Sequence, residues 1–262
     1  MSTLFLMRDM RVRFAGATHV GMKRAHNEDC IKLPEQERLA LLADGMGGHA
    51  SGEVASQLAV NTIADHFRAT AQTARVTWPY KIDRSPEFDL HRLAVAIKLA
   101  NAKIWEDAAK NEPHKGMGTT LVACLFLDDR AVIAHVGDSR VYCIHGTNIE
   151  QLTEDHSLLN DYVKMKQLNA AEASRFPHRN VIVRALGMKE SVQVDLQLVT
   201  PHVGDLFLLC SDGLSGMVED PEMARLATGE PDLDRACDRL IERANEQGGV
   251  DNISVILARI EA

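Results

Sequence analysis

No apolar run in this 262-residue chain approaches the roughly 18 residues needed to cross a bilayer, which excludes a spanning helix. The opening Met1–Arg8 stretch is too short and wrongly flanked for a secretory leader. Cysteines are few: Cys30, Cys124, Cys143, Cys210 and Cys237 are odd in number, scattered and mostly set inside apolar segments. That excludes a disulfide framework and points to a reducing compartment, so the expected location is the cytoplasm. There is no run of lysine and arginine, and 29 basic against 37 acidic residues give a net charge of −8. Long-range attraction to nucleic acid or to an anionic membrane is therefore not expected, although a single cleft can still be locally basic. Internal repeats and low-complexity tracts are also lacking. What is present is ordinary globular material, 45% apolar and 25% charged, enough for a core in one large domain or two small ones.

Against that plain background one pattern recurs. Leu39–Ala43 runs into Asp44-Gly45, Ala131–Gly137 into Asp138-Ser139, and Leu206–Ser211 into Asp212-Gly213. Asp251-Asn252 stands just before the last apolar segment, and Asp29 closes Asn27-Glu28-Asp29. Short apolar runs bounded by Gly, Asn and Ser read as buried strands with turns at their ends. Carboxylates at several strand ends can converge on one rim of a sheet, where they repel unless a cation lies among them. Carboxylates plus the Gly45 carbonyl, with no Cys or His at ligand spacing, suit Mg²⁺ or Mn²⁺ better than Zn²⁺.

The spacing predicts strands at Arg13–His19, Cys30–Leu33 and Leu39–Ala43, then a helix carrying Val54, Ala55, Leu58, Ala59, Ile63 and Phe67. Ala71–Asp89, with Pro79 and Pro86, reads as a loop, and Leu90, Leu93, Ile97, Ile104 and Ala108 mark a second long helix. Thr119–Leu127, Arg130–Val136, Val141–His145 and Ile149–Leu152 form a dense strand series, its first pair joined by an Asp128-Asp129 hairpin. His156–Phe176 is polar and helical in pieces. Val192, Val194, Leu196 and Leu198 alternate as a half-buried strand does. Asp232–Gln247 carries the stripe Leu233, Ala236, Cys237, Leu240, Ile241 and Ala244 and stops at Gly248-Gly249. Ile253–Ile260 is the last strand. Strands in series with helices between them argue for an α+β chain with antiparallel sheets.

Each motif alone has an ordinary explanation. Asp44-Gly45-Met46-Gly47-Gly48-His49 is either a glycine-rich turn before the helix near Gly52, or a set of small residues that lets backbone approach an ion. Asp-Gly and Asp-Ser are common turn pairs, and it is the repeated strand-to-aspartate step that carries weight. Arg24, four residues before Glu28, is either a surface arginine or a fork for two phosphate oxygens. His49 is either a proton donor beside the site or a solvated turn residue. Gly116–Thr120 can be a plain loop into a strand. Cys124/Arg130 and Cys237/Arg243 have the Cys-x5-Arg spacing of thiol phosphatases. Cys124, however, lies in an apolar strand run and Cys237 on the apolar stripe of a helix, so both read as structural. Ser215-Gly216 lacks the glycine spacing of a nucleophile elbow.

Taken in order, these segments resemble the metal-dependent serine/threonine protein phosphatases of type 2C, the PPM family, in its bacterial branch. The segments that carry the resemblance are Gly21–Asp29, Asp44–His49 with Gly52–Ser56, Gly116–Thr120, Val136–Arg140, Leu152–Ser157, Cys210–Leu214 and Gly249–Ser254. The resemblance covers nearly the whole chain. It implies one catalytic domain over residues 1–262, built as a four-layer α-β-β-α sandwich with two central antiparallel β-sheets flanked by helices. It further implies that Asp44 bridges two metal ions, that Gly45 adds its carbonyl, and that Asp212 and Asp251 complete one ion. Asp29 would act mainly through water, and Asp138 with Asp212 would mark a third ion. Arg24 matches the phosphate-binding arginine, His49 stands with it on the substrate side, and His156–Arg184 occupies the place of a flap that contacts substrate. Two departures stand out. Animal members carry a histidine regarded as a general acid where this chain has Met46, leaving His49 or a metal-bound water as substitutes. The Ala71–Asp89 loop is also longer than the family's.

The activity so implied is hydrolysis of phosphoserine and phosphothreonine in a phosphoprotein partner, opposing a Ser/Thr kinase. Water activated by two Mn²⁺ or Mg²⁺ ions would attack directly while Arg24 holds phosphate oxygens. Two other readings stay open: an inactive phosphatase-fold binding module, and a hydrolase of small phosphoesters. Retention of all five carboxylates argues against the first. Against nucleotide substrates, Trp78, Trp105 and the three tyrosines all fall outside the site motifs.

Overall fold

Strands that are apolar at every position need cover on both faces, and this chain supplies it by stacking two sheets and flanking them with helices. A computed structural model describes residues 2–35, 37–47, 51–73, 86–165, 176 and 181–262. One antiparallel sheet runs in the order β1 (Thr3–Leu6), β2 (Arg11–His19), β12 (Ile253–Glu261), β11 (Leu206–Cys210), β8 (Arg140–His145) and β9 (Asn148–Gln151). The other runs β10 (Asp195–Val199), β7 (Ala131–Val136), β6 (Leu121–Phe126), β4 (Leu39–Met46) and β3 (Asp29–Lys32), with β5 (Gly118–Thr119) paired to the end of β4. Every residue of β6 and β7 is buried.

Between the sheets lies a dry layer that includes Val12, Leu42, Val122, Ile133 and Ile256. Phe14, Phe126 and Phe207 cross it edge to face, with ring centroids 5.5 and 5.2 Å apart, a favourable aromatic geometry that fixes the spacing of the sheets. On one outer face α1 (Ser51–Thr73) and α2 (Pro86–Lys110) bury Ala55, Ile63, Phe67, Leu93 and Ile97. On the other, α5 (Asp220–Thr228) and α6 (Leu233–Glu246) bury Met223, Leu233 and Leu240. Between them in sequence come α3 (Leu158–Lys164) and the single turn α4 (Asp212–Ser215). The expected α+β sandwich is therefore present. No helix among the described residues is long and apolar enough to cross a membrane.

Several expected boundaries move. α1 continues to Thr73 and α2 begins at Pro86, so both ends of the expected Ala71–Asp89 loop are helical; proline is tolerated in a first helical turn because its missing N–H has no partner there anyway. Residues 74–85 lie outside the described ones. The strand expected over Val192–Leu198 is Asp195–Val199. Val192 and Val194 instead pack on the helix-side core ahead of it, while Leu196 and Leu198 remain partly exposed. Thr119–Leu127 divides into β5 and β6 because the two pair with different stretches of β4. β1 and α5 were not anticipated.

Candidate metal centre

Strands β3 and β4 pair in a register that sets Asp29 opposite Asp44. Like charges facing each other across a strand pair are destabilising, so this register calls for a proton or a cation between them. The Gly45 N–H donates to Glu28 O at 3.2 Å. A Cβ at Gly45 would come within 2.6 Å of Glu28 O and closer still to Gly52 O, so glycine is what lets β4 pass between β3 and the start of α1. Asp138 follows β7 through Gly137, whose φ of 112° suits glycine and whose added Cβ would meet Thr120 Cβ at 2.7 Å. Asp212 opens α4 directly after β11, and Asp251 precedes β12, the strand paired with β11. One sheet thus contributes Asp29, Asp44 and Asp138, the other Asp212 and Asp251, all at a shared rim.

Buried hydroxyls and amides hold these aspartates in place. Ser211 Oγ donates to Asp29 Oδ2 at 2.9 Å and accepts from Ser254 N–H at 3.0 Å. Thr120 Oγ1 accepts the Asp44 N–H at 3.0 Å, while the Thr119 hydroxyl donates to the Asp44 carbonyl at 2.8 Å. Asn252 accepts from Glu28 N–H at 2.8 Å and donates to Val20 O and His26 O at 3.0 and 2.9 Å. It therefore fastens the loop bearing Arg24 to the end of β12. Sequence reasoning assigned no role to Ser211, Asn252, Thr119 or Thr120. Their only signal is adjacency to the aspartates, and polar residues at strand ends look like turn formers. Asn252→Ala strands three backbone groups at once and is expected to cost about 3 kcal/mol. The check is the urea midpoint, and an unchanged midpoint would show those groups resatisfied elsewhere.

The electrostatics follow from burial and crowding. Burial, then Asp29, Asp212, Asp138 and Asp251 in turn, drive the Asp44 carboxyl well above the usual range. Burial raises Asp29 to about 7 despite the Ser211 hydrogen bond. Asp138 also rises to about 7, through burial and the charges of Asp212 and Asp155. Asp212 rises through burial and the neighbouring Asp251. Asp29 Oδ1 and Asp138 Oδ1 are buried and have no hydrogen-bond partner among the described residues. An all-oxygen donor set, two orphaned buried oxygens and mutual repulsion together fit a hard divalent cation.

The five aspartates expected from sequence are therefore brought together, with Gly45 beside Asp44. Arg24 reaches the same rim, its Nη2 donating to Asp251 Oδ2 at 2.6 Å. Met46 ends β4, and His49 lies outside the described residues. Of the expected flap, residues 156–165, 176 and 181–184 are described. Cys124 and Cys237 are buried, the first thiol pushed far up by burial and the second to about 12, so neither supplies a thiolate. Next to the aspartates opens a cleft of about 380 Å³ whose walls include Asp138, Asp212, Asp251, Leu159, Met217 and Arg140. Arg140 is held bidentate by Asp155 at 2.9 and 2.7 Å.

Residues 15–258 match the family model of protein phosphatase 2C. The chain belongs to the protein phosphatase 2C family. It is 37% identical to the serine/threonine phosphatase stp of Listeria innocua over 92% of each chain. Among solved structures it is similar to the serine/threonine phosphatase Stp1 of Staphylococcus aureus, with a TM-score of 0.86 and 35% identity over 99% of this chain and 97% of that one. The catalytic domain of serine threonine protein phosphatase PstP, solved with two manganese ions, gives a TM-score of 0.79 and 34% identity over 96% and 99%. The two-sheet, helix-flanked sandwich of this phosphatase 2C member is the architecture it shares with those structures.

Proposed function

We propose that this member of the phosphatase 2C family is a metal-dependent protein serine/threonine phosphatase, acting on phosphoserine and phosphothreonine in a phosphoprotein with Mn²⁺ or Mg²⁺ as cofactor. The observation that carries the reading is the meeting of five aspartates from two sheets, with Asp29 Oδ1 and Asp138 Oδ1 buried and without a donor among the described residues. Asp29, Asp44, Asp212, Asp251 and the Gly45 carbonyl would hold two ions, and Asp138 with Asp212 a third. The two manganese ions of the PstP catalytic domain support that assignment. Ions held there supply charge neutralisation at the phosphoryl group and lower the pKa of water toward neutrality.

The chain's own residues do the rest. Thr119, Thr120, Ser211 and Asn252 fix the aspartates before substrate arrives, so little reorganisation is needed as charge develops. Arg24, tied to Asp251 at one nitrogen, exchanges that contact for a fork onto two phosphate oxygens. No aromatic side chain lines the cleft among the described residues, which favours a peptide over a base-bearing substrate. Five free cysteines support a reducing, cytoplasmic setting in which a Ser/Thr kinase would supply the substrate. The whole chain would act as one catalytic domain.

Phosphate release from a phosphothreonine peptide tests the reading: turnover with Mn²⁺ and none with EDTA is expected, and turnover unaffected by EDTA would refute it. Arg24→Ala is expected to raise KM about tenfold with kcat little changed, because a binding contact and no ion ligand is lost. Steady-state kinetics on the same peptide check this.

A further inference from the structure

Beside the Gly137–Asp138 end of the aspartate rim, His135, His156 and Asp195 bring potential ligand atoms within 4.8 Å of one another. The hydrogen bonds argue against a metal there. His156 Nδ1 accepts the Gly137 N–H at 3.0 Å, so the neutral ring carries its proton on Nε2, which faces Asp195 Oδ2 at 3.2 Å. A nitrogen that donates has no lone pair left for an ion. His135 Nε2 donates to the Glu154 carbonyl at 2.8 Å, so of the two rings only His135 keeps a nitrogen lone pair, on Nδ1, that no donor among the described residues uses. The two rings stack with centroids 4.6 Å apart, and burial holds both below the usual histidine pKa, in keeping with neutral imidazoles.

Asp195 stands opposite His135 in the β7–β10 register and touches both legs of the 156–184 segment. Its Oδ2 accepts from His156 on the outgoing leg, and its Oδ1 accepts from Arg184 Nη1 on the returning leg at 2.7 Å. The legs pair with each other through Val183 N–H to His156 O at 2.9 Å and Leu158 N–H to Val181 O at 2.8 Å. The outgoing leg continues into Ser157 and Leu159, which wall the cleft beside Asp138 and Asp212. Without Asp195, the His156 N–H to Gly137 O bond at 2.9 Å still holds the backbone beside Asp138. What is lost is the tie of both legs to β10.

We propose that Asp195 is a positioning residue for protein substrates, clamping both legs through His156 and Arg184 and so fixing the wall a peptide meets next to its phosphate. The proposal rests on the phosphatase reading above. Leu159 lines the same cleft as Asp138 and Asp212, and an aryl phosphate lacks the peptide chain that would extend from the phosphate along that wall.

The test compares wild type and Asp195→Ala, both with Mn²⁺, on p-nitrophenyl phosphate and on a phosphothreonine peptide. Expected is a rise of about tenfold in the peptide KM, the scale of lost charge-assisted hydrogen bonds. The kcat values and the aryl phosphate KM should stay within about twofold. Asp195→Asn, which keeps one acceptor, should fall in between. Equal losses on both substrates, or none on either, overturn the proposal. Should Asp195→Ala fail to fold, Arg184→Gln, which releases only the partly exposed returning leg, is judged by the same substrate contrast. One-to-one zinc uptake by the wild type that disappears in His135→Ala would also overturn it. A wild-type chain inert on both substrates overturns the phosphatase reading itself, an outcome distinct from a lost contrast between them.

Discussion

Asp44→Ala is expected to abolish phosphate release from a phosphothreonine peptide at any manganese concentration. Asp44 is the residue around which the others are arranged, facing Asp29 across β3 and β4 and feeling Asp212, Asp138 and Asp251. On the proposed reading its carboxylate would help to hold both ions, so excess metal is not expected to compensate for its loss. Several kcal/mol of charge stabilisation then disappear from the reaction, which corresponds to a fall of at least about 10³-fold in kcat. The metal-free variant should meanwhile unfold at higher urea than metal-free wild type, because a half-buried carboxyl crowded by four others has been removed. Activity and urea midpoint should move in opposite directions. A simple packing defect would lower both, and near-normal turnover would refute the assignment.

The second large effect is a pH dependence of stability in the metal-free chain. The folded Asp29 carboxyl is raised from 3.8 to about 7, chiefly by burial. A carboxyl raised in the folded state binds its proton more tightly there than when unfolded. Its contribution is full below the unfolded pKa and is lost as pH climbs through the folded one, so stability declines between about pH 4 and pH 7. The loss on this account is roughly 4 kcal/mol. Asp29→Asn keeps the neutral shape and removes the titration. In EDTA the variant should therefore gain on wild type as pH rises from 5 to 7.5, and in manganese the order should reverse, because on the proposed reading the Asp29 carboxylate helps to hold the ions, mainly through water, and a neutral amide does so less well. Urea midpoints at the two pH values, with and without metal, decide it. Parallel profiles in EDTA would contradict the burial account.

What could be read from the sequence was the part written in local pattern. Leu39–Ala43, Ala131–Val136 and Leu206–Cys210 are apolar runs that stop at an aspartate, and buried strands with turns leave that mark. The stripe from Leu233 to Ala244 gave α6 nearly to its caps, since Asp232 does accept from the N–H groups of Asp234 and Arg235. Pro86 misled because proline both breaks helices and begins them. α5 escaped because a single buried patch of Met223, Ala224, Leu226 and Ala227 over nine residues is too short to show a period.

The site divides in the same way. Asp29, Asp44, Asp138, Asp212 and Asp251 each announce themselves at a strand end. The register that sets Asp29 against Asp44 does not, because strand pairing is a long-range choice. The same holds for Asn252 bridging to Glu28, and for the contact of Asp195 with His156 and Arg184. These pairs are separated by many residues, and no periodicity reports on them. The Arg24–Asp251 bond is of this kind too: the sequence placed Arg24 near Glu28, and the fold delivers it to the opposite sheet's aspartate.

Diffraction from a manganese-soaked crystal, recorded at the manganese edge, tests the central claim most directly. The account predicts two strong anomalous peaks at the rim between the sheets, with Asp44 oxygens between them and Asp29, Asp212 and Asp251 around them. Absence of any peak there, with those carboxyl oxygens turned instead to protein donors, would contradict it.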